Sequence, residues 1–146
     1  LPLDMTFHWH NSLRLFPGDA DAPPEPSLVM VSAGGLTLPI RYSSKERAVL
    51  ELLDELPEHE SFHQADALME GMSDLSPRRL QTLLEACVNV KVKRLFLYFA
   101  DRHRHAWQSR LDISRVDLGS GKRVLAKGGK LDPRYNITVP SDLGGP

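Results

Sequence analysis

The sequence has little of what marks several large classes of protein. It contains one cysteine, Cys87, which cannot form an internal disulfide or a zinc site built from several cysteines. Its longest uninterrupted apolar run, residues 95–100, is far shorter than the ~20 residues of a membrane-spanning helix. The chain also begins without the cationic and apolar segments of a signal peptide. We therefore exclude a disulfide-rich or transmembrane protein and expect a cytoplasmic one.

Motifs that mark common active sites are also missing. The sequence has no GxxxxGK(S/T) loop and no GxGxxG, HExxH or GxSxG motif. The turn at residues 119–123 is either an anion-contacting turn or a plain hairpin, because no helix follows to orient its amides on a phosphate. His8 and His10 lack the third ligand of a zinc site, which favours ordinary surface histidines. We expect no catalysis, no cofactor and no metal.

What is present fits one folded domain. The chain has 146 residues, of which 41% are hydrophobic and 25% charged, close to the average for soluble proteins. It starts at Leu1 rather than at methionine, so we expect further residues upstream in the parent protein.

The small net charge of −1 hides a strong asymmetry along the chain. Residues 43–75 carry nine acidic residues against two basic ones, and residues 91–134 carry twelve basic residues against four acidic ones. This polarity has two interpretations. The basic segment forms a positive face for phosphates or an acidic protein, or the two segments pack together and neutralise each other.

The single domain, residues 1–146, divides into three parts. Residues 1–42 are β-rich and include a proline-rich loop at 17–27, residues 43–110 are helical, and residues 111–140 are β-rich again.

The β-rich parts show alternation and turn signals. Residues 1–16 alternate apolar and polar side chains as a strand does, and Gly34 with Gly35 predicts a hairpin between residues 28–31 and 36–40. Later strands are predicted at 124–126 and 135–139.

Three helices have recognisable start signals. These are Ser43 with Glu46, Ser61 with Gln64, and Ser76 with Pro77. Residues 90–100 fit either a buried strand or a buried helix, and the absence of glycine and proline through residue 104 favours a helix that ends near His105. The predicted fold is α+β, with about four to five helices packed on a small, mostly antiparallel β-sheet.

The apolar positions at helical spacing predict the core. They are Leu50, Leu53, Leu68, Leu80, Leu84, Leu95, Phe96 and Phe99. Cys87 continues the apolar stripe of the third helix, so we interpret it as a small buried hydrophobic residue rather than a nucleophile.

A DNA-binding winged helix is the alternative architecture. Arg78 and Arg79 lie at the start of the third helix, where a recognition helix carries basic residues, and a hairpin at residues 122–130 would be the wing. The long segment at residues 91–110 and the acidic first two helices argue against it.

Specific strings resemble a known family. LQTLLEAC at residues 80–87 and VKVKRLFLY at 90–98, followed by DLGSGKR at 117–123 and KGGKLDP at 127–133, resemble the C-terminal domain of AbiEi-type antitoxins. Trp107, RLD at residues 110–112 and ITVP at 137–140 extend the similarity, which covers about residues 36–143.

The resemblance implies a non-catalytic role. In that family an N-terminal winged helix binds the promoter of its own operon, and the C-terminal domain is associated with neutralising a nucleotidyltransferase-like toxin. The winged helix has no counterpart in this sequence, so the resemblance implies the antitoxin half without its usual DNA reader. A DNA-binding regulator and a small phosphate-handling enzyme remain rival classes.

The predicted interaction surface is a basic patch that engages the toxin or the nucleic acid on which it acts. Its candidate residues come from the start of the segment at 90–100 and from the glycine-rich turns after it. They are Lys91, Lys93, Arg94, Lys122, Arg123 and Lys127. Exposed lysines and arginines without any partner are the alternative.

Overall fold

A computed structural model describes residues 11, 14–18 and 28–143 of the chain. The described part contains four helices and four strands: β1 (Leu28–Ala33), β2 (Leu36–Ser43), α1 (Lys45–Asp54), α2 (Phe62–Glu70), α3 (Pro77–Ala86), α4 (Val90–His103), β3 (Lys130–Asp132) and β4 (Ile137–Val139). Two short 3-10 helices, Ala106–Arg110 and Ile113–Arg115, follow α4. The α+β class is therefore confirmed. Most of the predicted strand at residues 1–16, with His8 and His10, and most of the loop at 17–27 lie outside the described residues.

The helix starts follow local capping chemistry, with one correction. The hydroxyls of Ser61 and Ser76 each accept a hydrogen bond from the backbone N–H three residues later, as predicted. The cap of α1 is Ser44, which accepts from the N–H of Arg47, so the predicted cap at Ser43 is wrong by one residue. The carboxylate of Glu46 instead accepts from the N–H of Ser76 at 2.9 Å and so ties α1 to the start of α3.

The core lies among the four helices. Seven of the eight predicted core residues are buried there, and Leu15 and Phe16 from the N-terminal part join them. Leu68 is the exception and is 36% exposed. Successive residues of a helix are rotated by about 100°, and α2 buries Phe62, Ala65 and Met69, which leaves Leu68 at the edge of the buried face.

Residues 90–100 form a helix, as their length favoured. Helix α4 is buried along most of its length and contacts both α1 and α2. It ends at His103, and Arg104 terminates it in the left-handed conformation with φ of 51°.

The strands form two separate antiparallel pairs rather than one sheet under the helices. Strands β1 and β2 are joined by Gly34 and Gly35, which both have positive φ as a tight hairpin requires. Strands β3 and β4 form the second pair near the end of α4.

The strand predicted at residues 124–126 is not formed. Only Arg123 makes a bridge, to Ile137 of β4. The N–H groups of Leu125 and Ala126 donate to the side-chain hydroxyl of Thr138, at 2.7 and 3.0 Å, and not to a neighbouring strand. A buried threonine therefore takes the place of the backbone ladder that the β-prone sequence predicted.

Candidate interaction surface

Lys91, the first predicted patch residue, stabilises the end of another helix. Its Nζ donates to the backbone carbonyls of Asp54 at 2.8 Å and Leu56 at 2.7 Å, where α1 ends. It also lies 3.7 Å from the carboxylate of Asp54. A cation at a helix C-terminus satisfies carbonyls that have no partner within the helix. Lys91 is therefore part of the fold rather than of a free surface.

Arg94 is buried and braces the segment that follows α4. Its guanidinium donates to the carbonyls of Leu118 at 2.9 Å, Gly121 at 2.6 Å and Asn136 at 3.4 Å. Burial, and secondarily the nearby charge of Arg123, lowers the pKa of Arg94. The arginine thus fixes the loop from inside and does not present its charge to a partner.

Lys93 is also buried, at 4% exposure. The three basic residues at the start of α4 consequently do not contribute an exposed edge to the predicted patch. The physical reason is that long cationic side chains can run along apolar surface and end at backbone carbonyls.

The turn at residues 119–123, which Arg94 supports through Gly121, holds Lys122 and Arg123 at the surface. Asp117 accepts a hydrogen bond from the N–H of Gly119 at 2.9 Å, and Gly119 has φ of 63°. A side chain at Gly119 would place its Cβ 2.9 Å from Val90, so this turn needs glycine for both space and conformation. Lys122 is exposed, and the half-buried Arg123 donates to the carbonyl of Ser120.

Lys127 lies on the next turn of the same connection. It is exposed, and it borders a shallow groove together with Pro57, Phe62 and Asp142. Neither Lys122 nor Lys127 pairs with a carboxylate among the residues that the structure describes. We call Lys122, Arg123 and Lys127 the basic turn surface.

The interpretation that the acidic and basic segments pack together holds for the contacts between α4 and the first two helices. Arg102 and His103 of α4 each approach the carboxylate of Asp66 on α2 to 2.7 Å, and Lys91 pairs with Asp54 on α1. These contacts neutralise the acidic helices against α4. Among the cations after residue 104, Arg115 pairs with Glu85 of α3 and Arg134 pairs with Asp101 of α4. Lys122 and Lys127 have no carboxylate partner among the described residues.

Other candidate groups are engaged within the fold. Cys87 is buried, as predicted, and burial raises the pKa of its thiol. The described residues hold no cluster of three or more metal-ligating side chains. No helix in the described ranges has the length and apolar character to cross a membrane.

After α3 the chain does not follow the order of elements of a winged helix, the alternative architecture. The next element is the 14-residue helix α4, where a winged helix would have its wing hairpin. Arg79 lies 3.5 Å from Glu46 of α1, and Arg78 is exposed.

Comparison with known proteins gives one assignment. No curated protein and no solved structure matches the chain significantly. The sequence model of one family, described as transcriptional regulators and AbiEi antitoxins of type IV toxin–antitoxin systems, matches residues 9–140. That match includes every element from β1 to β4, which confirms the resemblance found in the sequence. The chain therefore belongs to the AbiEi antitoxin family.

Proposed function

We propose that this chain is a cytoplasmic, non-catalytic antitoxin that counteracts a nucleotidyltransferase-like toxin. The family match over residues 9–140 carries the proposal, because that family consists of antitoxins of type IV systems. The lack of any catalytic motif in the sequence agrees with action by binding. The partner is an anionic surface, either of the toxin or of the nucleic acid on which the toxin acts.

The basic turn surface is the proposed contact. Lys122 and Arg123 are supported from within by Arg94, so little conformational freedom of the turn would be lost on binding. Surface cations of this kind speed association and select anionic partners, and their effect declines as salt screens them.

A charge-reversal experiment tests the contact. Lys122→Glu, Arg123→Glu and Lys127→Glu are combined, and growth rescue is measured in cells that express the toxin encoded beside the antitoxin. Arg14→Glu, Arg41→Glu and Arg110→Glu form the matched control, because all three residues are exposed and the change in net charge is the same. We expect the first triple variant to lose rescue and the control to keep it.

The melting temperature of both variants is measured to confirm folding. Full rescue by a folded basic-turn variant would exclude this surface as the site of antitoxin action. Pull-down of the purified toxin, with and without nuclease, then separates direct contact from contact through nucleic acid.

DNA binding by the chain is the second candidate, because the family description includes transcriptional regulators. Arg78 at the start of α3 is exposed and available to phosphates. Binding of the chain to the promoter of its own operon that is lost in Arg78→Glu would support this function.

A further inference from the structure

A cleft opens between the C-terminal half of α4 and the β3–β4 pair. Its volume is about 460 Å³, within the ~300–1,000 Å³ range of small-molecule sites. None of the three residues of the basic turn surface lines it. The cleft is therefore a separate feature of the molecule.

One part of the cleft is apolar and aromatic. Tyr98 is half-buried, and its ring packs edge-on against Phe99 with centroids 5.3 Å apart. Tyr135 is buried, and its hydroxyl donates to Asp101 at 2.7 Å. Pro133 and Pro140 extend the apolar lining. These groups are suited to a flat, unsaturated ring.

Two cations of the lining are available to a ligand. Arg104 and Lys130 are exposed, and neither side chain bonds to or pairs with any residue that the structure describes. The other charges around them are engaged: Arg102 donates to Asp66 and to the carbonyl of Leu143, and Asp101 pairs with Arg134. The lining therefore carries two cations without an ion-pair partner, beside the carboxylate of Asp132.

The backbone at Arg104 is a second, independent observation. Its φ of 51° is the left-handed conformation that a glycine adopts at a helix end without steric cost. Termination of α4 thus gives no reason for an arginine at this position. Binding of a ligand in the cleft would give such a reason, because Arg104 lines the cleft and its guanidinium has no partner among the described residues.

We propose that this cleft binds a nucleoside monophosphate unit, either as a free nucleotide or at the end of an RNA strand. The base lies against Tyr98 and the prolines, and the phosphate lies between Arg104 and Lys130. The carboxylate of Asp132 also lines the cleft; its Oδ2 accepts the N–H of Tyr135 at 2.7 Å, and Oδ1 is placed to accept from an N–H or O–H donor of a base or ribose. A simple aromatic acid offers no such donor.

Calorimetric titration of the whole chain with AMP, adenosine and inorganic phosphate tests the site. We expect AMP to bind at least tenfold more tightly than adenosine or phosphate alone, because only AMP fills both parts of the cleft. Arg104→Gly and Lys130→Gln should each weaken AMP binding at least tenfold. Because glycine suits the backbone at position 104, Arg104→Gly should melt no lower than the unmodified chain.

Two matched controls accompany these variants. Among the described residues, Asn136 is the other non-glycine residue with positive φ; it does not line the cleft, so Asn136→Gly gives the same backbone relief elsewhere. Arg110→Gln removes an exposed cation outside the cleft. Both should bind AMP within twofold of the unmodified chain.

The possible outcomes decide the proposal. Absence of AMP binding, phosphate binding as tight as that of AMP, or unchanged binding in Arg104→Gly and Lys130→Gln would each overturn it. A 5′-phosphorylated single-stranded RNA trimer distinguishes the two sources. Tenfold tighter binding of the trimer, with the same sensitivity to both variants, identifies an RNA end, and equal binding identifies a free nucleotide. Toxin rescue is measured separately, so failure here leaves the proposed antitoxin function standing.

Discussion

At the scale of single residues, burial decides which basic groups can meet a partner. Lys93 and Arg94 are only 4% and 3% exposed, whereas Lys122 and Lys127 are exposed to solvent. A buried guanidinium is tolerated because backbone carbonyls replace the water that it loses. Charge along the sequence is therefore a poor guide to charge on the surface of this protein.

Burial of apolar residues makes the first prediction at this scale. Leu84→Ala should lower the free energy of unfolding by about 2–5 kcal/mol, because Leu84 is fully buried and its loss leaves a cavity. Leu68→Ala is the matched control and should cost about 1 kcal/mol or less, since Leu68 is 36% exposed. Urea unfolding of both variants measures the difference. Equal losses would contradict the packing described for α2 and α3.

At the scale of elements, α4 organises the chain around it. Its first turn stabilises the end of α1 through Lys91, its second turn braces the following loop through Arg94, and its end contacts α2 through Arg102. The loop from residue 116 to residue 129 has little regular structure of its own. The conformation of this loop, and of the basic turn surface within it, therefore depends on contacts with α4.

Replacement of Arg94 tests this dependence. Arg94→Met should lower the free energy of unfolding by roughly 2–4 kcal/mol, because it removes the hydrogen bonds of a buried guanidinium, and a hydrogen bond to a charged group contributes about 1.5–3 kcal/mol. Amide exchange at residues 119–123 should speed up more than exchange within α3. Arg110→Met, at an exposed arginine, is the control and should change neither quantity. Unaltered exchange in the turn would show that Arg94 does not brace it.

At the scale of the whole molecule, stability is unevenly distributed. The four helices share one core, whereas the β1–β2 pair reaches the helices through contacts of β2 with α1. Met30, Leu36 and Tyr42 of this pair are exposed. Segments with few buried apolar contacts open at low free energy.

Amide hydrogen exchange should reveal this unevenness. We expect the amides of β1 and β2 to open with a free energy at least ~2 kcal/mol below that of the slowest amides in α4. The β3–β4 pair provides an internal comparison, because all three residues of β4 are buried. Protection of β1 and β2 equal to that of α4 would mean that the hairpin unfolds together with the core.

Local signals in the sequence were sufficient for much of this fold. Capping by Ser61 and Ser76, the turn at Gly34 and Gly35 and the apolar stripes of the helices depend on residues at most four positions apart. The family strings were also readable directly, and the family match confirmed them.

Only the tertiary structure determined which charged groups are buried and which are exposed. Arg94 bonds to carbonyls as far along the chain as Asn136, and the hydroxyl of Thr138 replaces a strand ladder at Leu125 and Ala126. The same applies to the cleft, whose cations Arg104 and Lys130 come from different elements. No periodicity encodes such contacts, because their free energy exists only when distant segments meet and exclude water from between them.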